Sequence, residues 1–216
     1  MLSSLCSLIL KVLGWKIVID DPGGTKYVLI VAPHTSNWDF PLGVIISRAI
    51  KLDAHFIAKH TVFRRPFGWF FRSLGGIPVY RGQGRNLSEQ LAEHFHARDH
   101  FIMAIAPEGT RSKLDHWKTG FYHIARAADV PIVMAYLDYG RKEVMMGGMF
   151  MPSADMVACF GRIREFYEGH EGKRPENASL IRPKAPPTRG PPRCSWAQNS
   201  LRCKLTDTVA HQDQEI

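Results

Sequence analysis

The chain predicts an α/β fold: a single domain with a mostly parallel central sheet flanked by helices, and an amphipathic helix at the N-terminus. Three observations carry this. Short apolar runs alternate with helix-period segments through most of the chain, which is the pattern of strand–helix–strand units. Some of those runs, such as residues 27–31 and 101–106, are continuously apolar, as strands covered on both faces are. A length of 216 residues with 45% hydrophobic content is enough for one substantial core.

The first helix is expected within residues 2–15. Leu5, Leu8, Ile9, Val12 and Leu13 recur at three- and four-residue spacing and share one face. The apolar stretch is shorter than the roughly 20 residues that span a bilayer, and it lacks the basic lead and cleavage site of a signal peptide. It can pack on its own domain and also lie in a headgroup layer, with Lys11, Trp15 and Lys16 at the rim. Strands follow at residues 16–20 and 26–31, joined by the turn residues Asp21, Pro22, Gly23 and Gly24. A helix is predicted over residues 38–50, a strand over 54–58, and a helix over 66–74 ended by Gly75 and Gly76. A short strand at 77–80 precedes a helix at 86–97. There Asn86 is the expected cap, Glu89 sits three residues on, and Leu87, Leu91 and Phe95 are four apart. Residues 101–106 and 131–137 read as strands, 120–128 and 154–167 as helices.

Composition changes near Pro183. Residues 183–216 hold five prolines and few periodic apolar residues, so this tail is expected to be disordered. The expected organisation is a lead-in with an interfacial helix (1–20), a main domain (21–182) and the tail (183–216). The tail is +2 and the formal net charge +8, so most of the basic character belongs to the folded part. With a pI near 9.5, the surface favours anionic partners: nucleic acid, phosphorylated small molecules or an anionic membrane face. Four cysteines show no C-x-x-C spacing, which suits a reduced, cytosolic setting. No metal site is expected, since His94, His96 and His100 lie in a polar stretch with no cysteine nearby. Asn86-Leu-Ser88 and Asn177-Ala-Ser179 match the glycosylation pattern and are read as accidental without a secretory signal.

The chemistry gathers in four segments. In Ala32-Pro-His-Thr-Ser-Asn-Trp-Asp-Phe40, His34 precedes Asp39 by five residues, between a strand and a helix. A histidine held by a carboxylate can act as a general base; a satisfied turn histidine and a helix-capping aspartate fit the same spacing. In Leu74-Gly-Gly-Ile-Pro-Val-Tyr-Arg-Gly82, Gly76 allows close backbone approach, and Arg81 follows a short strand where a phosphate fork would sit. In Ile105-Ala-Pro-Glu-Gly-Thr-Arg-Ser112, Arg111 can chelate a phosphate while Thr110 adds a neutral donor. Glu108 would repel such a ligand unless it binds a substrate hydroxyl or holds the arginines. The fourth segment, Asp129-Val-Pro-Ile-Val-Met-Ala135, has no reactive group and reads as a buried strand.

In order and interval, these segments resemble the H-x4-D glycerolipid acyltransferases, of the 1-acyl-glycerol-3-phosphate acyltransferase type. His34 and Asp39 match the catalytic pair. Gly76, Pro78 and Arg81 match the second block; Glu108, Gly109, Thr110 and Arg111 the third; Val130, Pro131 and Ile132 the fourth. Residues 35–38 depart from the common version, and Thr61, just after Lys59, stands where a glutamate is frequent. The resemblance implies transfer of a fatty acyl group from acyl-CoA or acyl carrier protein to the free hydroxyl of a lysophospholipid, most simply 1-acyl-glycerol-3-phosphate. It implies His34 as base, Asp39 as its orienting partner, and Lys59, Gly76, Arg81, Glu108, Gly109, Thr110 and Arg111 as substrate-binding residues. No cofactor is implied beyond the acyl donor.

The aromatic and arginine-rich stretch at residues 62–72 reads either as a core helix with charged edges or as a membrane-facing element. With the first helix, it suggests a peripheral or monotopic enzyme on the cytoplasmic face of an anionic membrane. Competing readings are acyl transfer to another lysolipid such as a lyso-aminolipid, hydrolysis by the same pair, and a non-enzymatic basic membrane- or nucleic-acid-binding module. No nucleic-acid motif is present, so nucleic acid is not an expected partner.

Overall fold

The computed structural model describes residues 2–20, 23–79 and 87–184, all within the compact unit Met1–Lys184. The expected turn residues Asp21 and Pro22, the expected cap Asn86, Arg81, and the tail from residue 185 onward lie outside the described residues.

The helices are α1 (Leu2–Val12), α2 (Asp39–Ala49), α3 (Gly68–Ser73), α4 (Leu87–His96), α5 (Gly120–Ala128) and α6 (Met156–Tyr167). The strands are β1 (Lys16–Ile19), β2 (Lys26–Ala32), β3 (Ala54–Lys59), β4 (Gly76–Val79), β5 (Phe101–Ile105), β6 (Ile132–Asp138) and β7 (Glu143–Phe150). They form one sheet in the order β1-β7-β6-β2-β5-β3-β4. Strands β2 to β6 run parallel to one another; β7 is antiparallel to β6, and β1 is parallel to β7. The fold is α/β with a mostly parallel sheet, as the alternating pattern predicts.

One feature differs from the sequence reading. Strand β7 was not expected, because Gly147 and Gly148 interrupt its apolar run and glycine is depleted in strands. Its pairing with β6 shifts register between Ile132 and Met134. Strands β1 and β2, consecutive in the chain, are not neighbours, since β7 and β6 lie between them.

Strand alternation divides the core. Val28, Ile30 and Ala32 of β2 and Ile132, Met134 and Tyr136 of β6 join α4, α5 and α6 in one cluster. Tyr27 and Leu29, with Val133, Ala135 and Met146, face the opposite side. On that side Leu10 of α1 packs with Leu42 and Ile46 of α2 over Leu137 and Val144. Helices therefore cover both faces, which is why the central strands read as unbroken apolar runs.

Helix α1 meets the domain through Cys6 and Leu10. Of the placements open to its apolar stripe, the outward one is seen: Leu5, Leu8, Val12 and Leu13 are exposed. None of the described helices is long and apolar enough to cross a membrane.

Gly76 is explained by packing at the sheet edge. A Cβ there would lie 2.6 Å from the Phe71 carbonyl oxygen, 2.8 Å from Phe63 Cε1 and 2.9 Å from Phe56 Cζ. We expect Gly76→Ala to destabilise the fold by on the order of 1–3 kcal/mol, the usual cost of overpacking, read as a lower denaturation midpoint. An unchanged midpoint would show that the edge yields freely.

Candidate active site

Strand β2 ends at Ala32, and the chain turns through residues 33–38 into α2, whose first residue is Asp39. The turn is organised around that carboxylate. Asp39 Oδ2 accepts the backbone N–H groups of Thr35 and Ser36, each at 2.9 Å, and lies 3.1 Å from His34 Nδ1. Asp39 Oδ1 accepts the Tyr139 hydroxyl at 2.8 Å. The capping and the dyad readings of Asp39 thus coexist in one side chain. Burial pushes this carboxyl upward, but hydrogen bonds from the His34 ring, the Ser36 N–H and the Tyr139 hydroxyl outweigh it, so its pKa lies below the ordinary value. An ionised carboxylate only accepts, so His34 Nδ1 carries a hydrogen, which in a neutral ring leaves the lone pair on Nε2.

Glu108, just beyond the end of β5, holds the same histidine from behind. Its Oε1 accepts the His34 backbone N–H at 2.9 Å, while Oε2 is buried without a protein partner. Glu108 is only 2% exposed, and burial raises its pKa despite the His34 N–H bond. Glu108, expected to bind substrate, does not line the adjoining cavity; its carboxylate holds the backbone of the turn that carries His34. Gly76, also expected to bind substrate, is not on the cavity wall either.

That cavity, of about 910 Å³, is lined by His34 and Asp39 together with Lys59, Gly109, Thr110 and Arg111. Arg81 lies outside the described residues. The polar groups follow the C-terminal ends of β2, β3 and β5, where open α/β sheets bind ligands. Beyond them the wall turns apolar. Leu29, Val31, Ala104 and Ala135 of the sheet line it together with Gly43, Val44 and Ile46 of α2. The volume lies near the upper end of the roughly 300–1,000 Å³ range of ligand pockets.

Two residues absent from the sequence reading belong to the site. Lys118 lines the cavity; its ammonium donates to the Gly109 carbonyl at 3.3 Å. Gly109, at φ +61°, leaves room for it, since a Cβ there would meet Lys118 Nζ at 2.6 Å. The basic residue just before α5 was the available signal, but no spacing rule singles it out. Tyr139 is the other, and it stands 100 positions from its carboxylate. Among the described residues no group of three or more His, Cys, Asp or Glu side chains is arranged to hold a metal ion.

Residues 21–137 match the family model described as Acyltransferase, more than half of the chain. It belongs to the acyltransferase family. No curated protein matches this acyltransferase. Among solved structures it is similar to the crystal structure of the 1-acyl-sn-glycerophosphate (LPA) acyltransferase PlsC from Thermotoga maritima. That match has a TM-score of 0.50 and 19% sequence identity, covering 77% of this chain and 73% of that one. The likeness supports the shared α/β architecture. The acyltransferase thus keeps, at its strand ends, a carboxylate-held imidazole beside a basic mouth and an apolar cavity.

Glu108 gives the site a pH signature. Its pKa in the folded acyltransferase lies above the ordinary 4.5, so the unfolded chain releases the proton first. Stability therefore falls as pH rises above about 4.5 toward the folded value. Glu108→Gln keeps an oxygen for the His34 N–H and cannot ionise. Its melting temperature relative to wild type should be higher at about pH 8 than at about pH 4, since only the wild type loses this stability over that rise. A difference independent of pH would count against a raised Glu108.

Proposed function

We propose that this acyltransferase moves a fatty acyl group from a thioester, acyl-CoA or acyl carrier protein, to the free hydroxyl of a lysophospholipid. The favoured acceptor is 1-acyl-glycerol-3-phosphate, giving phosphatidic acid. The observation that carries the reading is the His34 ring, held at Nδ1 by Asp39 on the wall of a cavity that joins a basic mouth to an apolar interior.

An alcohol is a weak nucleophile at neutral pH, and an imidazole with an ordinary pKa of about 6.5 is suited to take its proton. In the proposed reaction the acceptor oxygen attacks the thioester carbonyl as its proton passes to His34 Nε2. The tetrahedral intermediate then collapses with cleavage of the C–S bond. The imidazolium returns the proton to the departing sulfur, leaving an ester and a free thiol. Asp39 remains ionised and stabilises the imidazolium between these steps. No residue of the chain need be acylated.

The phosphate assignment is supported by Arg111, Lys118 and Lys59 on the cavity wall, since guanidinium and ammonium groups pair with phosphate oxygens. The acceptor named for the Thermotoga maritima protein agrees with it. The apolar wall between α2 and the sheet suits an alkyl chain.

A membrane surface is the proposed working location. Leu2, Leu5, Leu8 and Val12 of α1 are exposed, as are Phe67 and Trp69 around the start of α3. Lys11, Lys16, Arg64 and Arg65 accompany them in the chain, a combination that favours an anionic lipid interface. The protein is expected to sediment with vesicles of phosphatidylglycerol and not with vesicles of phosphatidylcholine alone, and Trp69→Ala to weaken that binding. Equal binding to both, or to neither, counts against the anionic surface.

Purified protein should acylate lysophosphatidic acid in a thioester-dependent reaction. His34→Ala should lower the rate on the order of 10²–10⁴-fold with an unchanged circular dichroism spectrum. Arg111→Ala should raise KM for lysophosphatidic acid and leave KM for the thioester alone. Mass measurement of products over a lysolipid panel identifies the acceptor. Thioester-dependent release of free fatty acid without acylated lipid would instead mark a hydrolase, and equal turnover by wild type and His34→Ala would remove the base.

A further inference from the structure

We infer that Tyr139 is a positioning residue for the reaction: by donating its hydroxyl to Asp39 Oδ1, it locks the carboxylate that orients the His34 ring. The inference rests on the reading of His34 as the base, and Tyr139 lies two positions beyond the segment that matches the family model.

The donors to Asp39 divide by origin. Oδ2 is served by the N–H groups of Thr35 and Ser36 and by the His34 ring. All three belong to the turn that Asp39 itself organises, so they move with it and give no outside reference. Tyr139 approaches Oδ1 from the far end of β6. A carboxylate turns easily about its last bond, because that torsion is broad and two-fold. A donor on the second oxygen, anchored elsewhere in the fold, removes that freedom.

Tyr139 is itself anchored. Its ring packs edge-on against Trp15, with centroids 5.1 Å apart and planes at 88°. Its backbone N–H donates to the Glu171 carbonyl at 2.9 Å. The neighbouring residues tie the same region to the catalytic turn. His170 Nδ1 lies 2.9 Å from Asp138 Oδ2, and the Arg174 N–H donates to Thr35 Oγ1 at 3.1 Å. Tyr139 thus carries the rigidity of the β6 end into the dyad, a supporting contact of the kind that sets catalytic geometry.

The test is Tyr139→Phe, which keeps the ring against Trp15 and removes the hydroxyl. We expect kcat to fall about tenfold, the loss of one hydrogen bond to a charged group, with both KM values unchanged. In an Asp39→Ala background the same change should cost nothing further, because its effect runs through that carboxylate. Carbon NMR of the substrate-free protein should show the Asp39 carboxyl titrating at higher pH in Tyr139→Phe, since one donor that lowers it is gone. Wild-type kcat, a loss confined to KM, an equal loss in the Asp39→Ala background or an unmoved Asp39 titration would each overturn the inference. If His34→Ala keeps full turnover, the base reading fails, whatever Tyr139 does. If His34→Ala is inactive and Tyr139→Phe is fully active, only the positioning role fails. The titration needs no turnover, so the contact is tested in either event.

Discussion

The Asp39 carboxylate is the constraint on which the site depends. It closes the turn that leaves β2, lies at the start of α2 and holds the His34 ring, all with two oxygens. A buried ionised carboxylate is costly unless its lone pairs are filled. Here four donors fill them. Folding the turn and building the dyad are therefore one event: the hydrogen bonds that stabilise the backbone also set the tautomer of the imidazole. A bare histidine–aspartate pair on the surface would have neither the rigidity nor the protection from water.

The sheet explains why these groups meet where they do. His34, Lys59 and Glu108 all lie at or just beyond C-terminal strand ends, and β2, β5 and β3 are adjacent in the sheet. Parallel neighbours bring their ends to one edge, so residues far apart in the chain share one mouth. The same arrangement leaves an apolar space between α2 and the sheet, where Gly43, Ala104 and Ala135 are small enough to keep it open. Polar chemistry at the rim and an alkyl-sized space behind it then follow from one topology.

Much of this was legible in the chain because period and turn chemistry are local. Among the described residues, the alternation of apolar runs and helical stripes located all six α-helices and six of the seven strands within a few residues. The His34–Asp39 pairing was legible for the same reason, since both partners sit in one turn. What the chain does not encode locally is direction. Leu5 and Leu8 share a stripe on any helix, but a stripe does not say whether protein or another surface will meet it, and in α1 it faces out. Glu108 sits in the polar segment with Arg111, yet its side chain turns inward to the His34 backbone. Gly76 was read as room for a ligand, whereas the room is taken by Phe56, Phe63 and the Phe71 carbonyl. Tyr139 could not be found at all: its partner is reached only after β6 has crossed back beside β2.

The two carboxyl groups beside His34 pull in opposite directions, and that division has a chemical use. Asp39 is surrounded by donors and held below its ordinary pKa. Glu108 is buried with one oxygen unpartnered, and the nearby Asp39 charge adds to the push upward from burial. Environment thus moves the two like groups in opposite directions, Asp39 below and Glu108 above their ordinary values. A base must release its proton as well as take it. In the proposed reaction a second negative charge against the ring would favour the imidazolium and oppose return of the proton to a departing thiolate. Asp39 on the ring and Glu108 on the backbone hold His34 from two sides, and the upward push on Glu108 acts against a second charge there.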